Sequence, residues 1–193
     1  MRRFVCIDFE TNGFPSKNST SSNDWPLPFS SIPIQVSVDV VDSSGYVDHA
    51  YDSIIQGATQ LCSWVRAHVP IRMDQIATSK PLIDVVDDIA RVLQEGDVIV
   101  AHNIAFDLDL ALARTCTKMN IRTPALQRIL STPRFCTMRC AYSRSVFERQ
   151  PKLIDMCRHF GVDLVNAHDA RADTAALASC VATAIRRGVM LDV

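Results

Sequence analysis

Asp8 and Glu10 stand two residues apart in F-V-C-I-D-F-E-T, an apolar run that otherwise reads as a buried strand. On a strand, residues i and i+2 leave the same face, so these carboxylates lie about 6–7 Å apart along one side. Two ionised carboxylates in an apolar setting repel each other, and each is costly to desolvate unless a cation sits between them. A third acidic position follows the apolar run D-V-I-V-A, in H-N-I-A-F-D-L-D. There Asp107 and Asp109 are two residues apart, about 200° around a helix, so only one can face a common site. The apolar pattern Phe106, Leu110 and Ala113 places the buried flank beside Asp107 and favours it. The fourth stretch is N-A-H-D-A-R-A-D, where Asp173 lies on an otherwise Ala/Leu helix, five residues after His168. On one continuous helix the two would sit about 140° apart. Convergence therefore requires His168 to precede the helix on a loop that bends back, with Asp169 as the N-cap.

Singly, each feature has an ordinary structural explanation, and a histidine before a helix commonly faces solvent. Together they meet the needs of phosphodiester hydrolysis by two metal ions. Oxygen donors suit two hard ions, Mg²⁺ or Mn²⁺. Such a pair can activate a water and stabilise a leaving oxygen, and a histidine near neutral pH can take the water's proton.

The elements that must position these residues can be read from periodicity. Phe4 to Phe9, Ile34 to Val41, Tyr46 to Ile55, Asp97 to Ala101 and Arg134 to Thr137 read as five strands. Ser43-Ser44-Gly45 makes a turn between the second and third. Helices are expected over Thr59 to His68, from Pro81 to a stop at Gly96, and from about Ala105 to Met119. Others are expected over Met138 to Ser143, Lys152 to Phe160 with Gly161 as C-cap, and Asp169 to near Arg187-Gly188. Early strands followed by alternation with helices imply an α/β domain with a mixed sheet. The 193 residues suit one domain, 1–193, carrying a long Ser/Asn/Pro-rich loop at 15–31. Seven scattered cysteines read as reduced thiols, with no zinc pattern despite Cys136 and Cys140. No run approaches a transmembrane span or a signal peptide, so the expectation is an intracellular, cytoplasmic protein without membrane contact. The chain stops soon after the last helix, which favours a free-standing enzyme over a polymerase subunit.

The net charge of −1 is uninformative, but its distribution is not. Residues 83–109 hold seven acidic side chains against Arg91, and residues 128–158 hold seven basic ones against Glu148 and Asp155. A cationic rim beside an anionic centre suits a polyanionic substrate next to bound metal; solvated helix faces are the alternative.

D-F-E-T-N-G-F, H-N-I-A-F-D and H-D-A-R-A-D resemble, in order, the three motifs of the DEDDh family of ribonuclease-H-like 3′–5′ exonucleases. That family includes the proofreading epsilon subunit of DNA polymerase III. The resemblance runs from about Phe4 to Ile185, and P-K-L-I-D-M-C-R-H-F-G-V resembles the helix before the third motif. It implies a ribonuclease-H-like α/β fold, here with a mixed five-stranded sheet flanked by helices. It further implies two metal ions on Asp8, Glu10, Asp107 and Asp173, with His168 as general base. Thr11 and Phe14 would contact the terminal nucleotide, and Asn103 would help to order the site. The expected partner is a single-stranded nucleic acid 3′ end, with DNA favoured and RNA possible. Other readings are an oligoribonuclease and a non-catalytic nucleic-acid- or polymerase-binding module. D-Q-I-A-T stands where the family often has H-G-I-T, so Asp74 and Gln75 would replace a His-Gly pair.

Overall fold

The computed structural model describes residues 2–13 and 31–189. Phe14 and all but the last residue of the expected 15–31 loop lie outside the described residues. The strands are β1 (Phe4–Thr11), β2 (Pro33–Val41), β3 (Val47–Gln56), β4 (Lys80–Pro81), β5 (Val98–Ala101) and β6 (Arg134–Cys136). They form one mixed sheet in the order β4-β3-β2-β1-β5-β6. β1 pairs antiparallel with β2 and parallel with β5, which is itself parallel to β6. The five expected strands are present, and β4 is a sixth. It consists of two residues, Lys80 and Pro81, aligned with Ile55 and Gln56. So short a pairing leaves no periodic signal, and a proline is tolerated there because β4 is an edge.

The period of two in β1 sorts its side chains as expected. Val5, Ile7 and Phe9 enter a core with helix α3 (Leu82–Val92), a π-helix (Ala105–Arg114) and α5 (Pro124–Ser131). Phe4 and Cys6 face the long helix α8 (Ala170–Arg186), which packs across β1 and β2. Asp8 and Glu10 therefore share the α8 face, while Phe9 is buried on the other side. At the start of β1, the Arg3 guanidinium donates to both Asp97 oxygens at 3.0 and 2.7 Å, and the Val98 N–H donates to the Arg3 carbonyl. This pairing pins the parallel register at one end of β1 and β5, which fixes what lies at the other. Gly45, at φ +82°, turns the chain between β2 and β3; a Cβ there would meet the Ala182 carbonyl of α8 at 2.9 Å.

Helices α1 (Ser63–His68) and α2 (Met73–Ala77) lie near the open end of β1, and α4 (Thr115–Lys118) continues the π-helix. Helices α6 (Ala141–Val146) and α7 (Leu153–Phe160) pack beside α8. Three expectations shift. The first helix starts at Ser63 rather than Thr59, because Cys62 caps it and gives its N–H to the Asn12 carbonyl. The helix expected from Met138 starts at Ala141, after Cys140 serves as N-cap. The helix expected over 105–119 opens as a ten-residue π-helix and turns α-helical at Thr115. Bonding i→i+5 is rare and concentrates at functional sites; here it carries Asp107. Gly161, at φ +72°, caps α7 as expected.

Candidate active site

The site is built at the end of β1. Its parallel pairing with β5 runs only from Phe4–Val98 to Cys6–Val100, because β5 ends at Ala101. Beyond that point β1 continues alone on that side, and the Phe9 N–H is left without a ladder partner. Asp107 takes it: one carboxylate oxygen accepts from Phe9 N at 3.0 Å. Asp107 is only 3 % exposed and reaches the site from the π-helix on the far face of the sheet. Asp109 is exposed and pairs with Arg134 at 2.6 Å, so of the two only Asp107 lies against the end of β1.

Glu10 lies opposite Gln35, and the register slips between Glu10 and Thr11, a bulge that re-aims side chains at a strand end. Gln35 reaches the start of α8, donating to Asp169 Oδ1 at 2.9 Å and accepting from the Ala170 N–H at 3.1 Å. Asp169 caps α8 by accepting from the Arg171 N–H. These bonds set the first turn of α8 over β1, so Asp173 arrives beside Glu10. The preceding loop bends back as expected: His168 adopts φ +70°, and its N–H donates to Asp173 Oδ2 at 3.1 Å. A left-handed non-glycine residue is uncommon, and such residues gather at functional sites. One donor atom each from Glu10, His168 and Asp173 lie within 4.8 Å of one another.

Electrostatics bind Asp8 and Asp107 to the same cluster. Burial, then repulsion from Asp107, Glu10, Asp173 and Asp169, holds the Asp8 carboxyl well above the usual range. Burial and repulsion from Asp173, Asp107 and Asp169 push Glu10 to about 8. Burial raises Asp107 to about 7 against the pull of the Phe9 N–H. Asp173 is also raised, chiefly by burial, and its Oδ1 is a buried oxygen with no hydrogen-bond partner. Carboxylates crowded at this cost, with an orphaned oxygen among them, fit a hard divalent cation as the missing partner.

Two residues passed over in the sequence join the site from α1. The Trp64 ring meets His168 edge-on, with centroids 4.9 Å apart, and His68 stacks on Trp64 at 4.5 Å. The i, i+4 spacing of Trp64 and His68 was the available signal, since it places both on one helical face. Asn12 fastens α1 there: it is buried, accepts from the Ile32 N–H, donates to the Gln60 carbonyl and receives the Cys62 N–H on its own carbonyl. Thr11 is buried, with its hydroxyl donating to the Gly13 carbonyl at 3.0 Å. The Asn103 carbonyl accepts from the Phe106 and Asp107 N–H groups, so it orders the turn that presents Asp107. Asp74 and Gln75 form the first turn of α2, where each bonds Arg72. The histidine that flanks the site is therefore His68, not a residue of D-Q-I-A-T.

The sequence profile of the exonuclease family represented by RNase T matches residues 5–181. The chain belongs to this family. It is a DEDDh-type 3′–5′ exonuclease, a hydrolase acting on nucleic acid, in a family that depends on divalent metal. A search of curated proteins returned no match. Among solved structures, one similar chain is a 3′-exonuclease described for 3′-end-specific recognition of a histone mRNA stem-loop. It superposes with TM-score 0.76 at 16 % identity, over 98 % of this chain and 84 % of that one. E. coli exonuclease I with a dT13 oligonucleotide gives TM-score 0.68 at 18 % identity, over 95 % of this chain and 41 % of that one. Its zinc-bound complex with single-stranded DNA gives 0.70 at 19 % identity, over 97 % and 41 %. This chain thus spans about two-fifths of exonuclease I. At these identities the likeness concerns the fold, a six-stranded version of the ribonuclease-H-like exonuclease sheet.

Proposed function

We propose that the enzyme removes nucleotides from single-stranded DNA 3′ ends and releases nucleoside 5′-monophosphates. Asp8, Glu10, Asp107 and Asp173 would hold two Mg²⁺ or Mn²⁺ ions, and His168 would serve as general base. The observation that carries this reading is the convergence of four carboxylates and a histidine, from three distant segments, on the open end of β1. When bound, the ions would supply a water acidified to neutral pH and charge compensation for the phosphate. The chain's own residues do the rest. The Phe9 N–H fixes the orientation of Asp107. The His168 N–H fixes Asp173, leaving its second oxygen buried and without a hydrogen-bond partner. The His168 ring is exposed and braced by Trp64, and it would accept a proton from a water beside Glu10 and Asp173.

RNA is the second reading. The stem-loop-binding 3′-exonuclease shares a larger part of its chain with this protein than exonuclease I does. Oligonucleotides of DNA and RNA labelled at either end, incubated with Mg²⁺, Mn²⁺ or EDTA, test both. Stepwise loss from the 3′ end, metal-dependent and abolished in Asp8→Ala, is expected. Degradation from the 5′ end, or activity untouched by EDTA, refutes the proposal; the faster polymer decides between DNA and RNA.

A further inference from the structure

The arginines of 128–158 are not equivalent once the fold is known. Arg128 donates to the Leu93 carbonyl and Arg134 pairs with Asp109, so both are committed to the fold. Arg158 lies 3.7 Å from Asp155. Arg139, Arg144 and Arg149 are exposed and have no side-chain partner among the described residues. They are not scattered. Three open cavities, of about 400, 160 and 710 Å³, run in succession around α6 and share walls. Arg139 and Arg144 line the first, Arg144 and Arg149 the second, and Arg149 with Arg158 and His159 the third. Phe147 forms part of the second and third, with its ring edge-on to His159 at 5.5 Å. Glu148 is the one acidic residue on these walls besides Asp155. The trough thus keeps an uncompensated positive charge.

It also lies at the same end of the sheet as the active site. β6 runs parallel to β5, so α6 follows the same end of the sheet that carries the carboxylates. His102 joins the two regions. Its Nδ1 bonds the Thr137 hydroxyl at 3.0 Å and its Nε2 bonds the Pro151 carbonyl, on the trough wall, at 2.9 Å. The next residue, Asn103, precedes the π-helix that presents Asp107 and accepts from the Phe106 and Asp107 N–H groups.

We infer that this trough is a track for the substrate strand on the 5′ side of the cleaved end, with Arg139, Arg144 and Arg149 contacting its phosphates. The inference rests on the exonuclease reading for its direction. Phe147 offers an aromatic face against which a base of any identity can stack. Spaced point charges and a sequence-blind ring suit a single strand, and they bind DNA and RNA alike.

The test is fluorescence anisotropy with labelled 30-mers of thymidylate and of uridylate, titrated in EDTA from 0.05 to 0.4 M salt. A single strand yields a slope of about −0.7 in log K against log salt per phosphate neutralised. The triple variant Arg139→Gln/Arg144→Gln/Arg149→Gln should therefore flatten the slope by about 2 and weaken binding about a hundredfold at 0.1 M salt. The matching triple Arg→Lys variant should keep the slope, and the exposed Arg122→Gln, away from these cavities, should bind as the parent does. An unchanged slope in the Gln triple, or an equal loss in Arg122→Gln or in the Lys triple, overturns the track. Digestion of the same 30-mers with Mn²⁺ reads the exonuclease assignment separately. Digestion with unaltered slopes refutes the track alone, and slopes that flatten without any digestion support the track while refuting the exonuclease reading.

Discussion

Replacing Asp107 by asparagine should abolish activity and yet stabilise the metal-free protein, with a pH dependence that the structure fixes. Asp107 is 3 % exposed and its carboxyl is raised from 3.8 to about 7. In the unfolded chain it ionises near the ordinary value of about 3.9. Between these values the folded state binds the extra proton, so the stability of the metal-free enzyme falls as pH rises from about 4 to 7. A shift of about three pH units, at about 1.4 kcal/mol each, amounts on the order of 4 kcal/mol. Asparagine keeps an oxygen for the Phe9 N–H and carries no charge, so the variant escapes this loss. In EDTA the variant and parent should melt within a few degrees of each other at pH 5. At pH 8 the variant should melt higher, by about 10 °C, at roughly 2–4 °C per kcal/mol for a domain of this size. Saturating Mn²⁺ should raise the parent's melting temperature and close most of the gap, since an ion that binds only the folded state stabilises it by mass action. Circular dichroism melts over pH 5 to 8.5, with and without metal, read all of this. A gap that is the same at both pH values, or a variant less stable at pH 8, would refute the claim that the buried charge of Asp107 is a strained element of the site.

His168→Ala should lower kcat by about 10²- to 10⁴-fold while the Mn²⁺-induced rise in melting temperature persists; loss of that rise instead would make His168 a ligand. Trp64→Ala removes the ring that braces His168 and should cost roughly ten- to a hundredfold in kcat with KM little changed, whereas Trp64→Phe should recover much of it. An equal effect on KM would assign Trp64 to substrate contact. Asp169→Ala removes the α8 N-cap and the bond from Gln35, and should cost about 1–2 kcal/mol in urea unfolding. A change below about 0.3 kcal/mol would contradict the capping argument.

Much of this site is legible in sequence because it depends on short-range geometry. The strand period of two puts Asp8 and Glu10 on one face and Phe9 on the other, whatever the sheet around them. Helical spacing separates Asp107 from Asp109, and the five-residue interval between His168 and Asp173 demands the loop that the left-handed His168 provides. Asp169 as a cap and Gly161 as a stop follow from backbone chemistry within one turn. Tertiary structure alone decided the rest. That β5 ends early, freeing the Phe9 N–H for Asp107, is a matter of strand pairing across nearly a hundred residues. The choice of i→i+5 over i→i+4 bonding leaves no mark in a run such as A-F-D-L-D-L-A-L-A-R, which suits either. Trp64 and His68 belong to the site because Asn12 ties α1 to the end of β1, and which arginines remain available depends on Asp109 and Leu93 claiming Arg134 and Arg128. Periodicity fixes the direction in which a side chain leaves its own element; only the packed fold determines what it meets there.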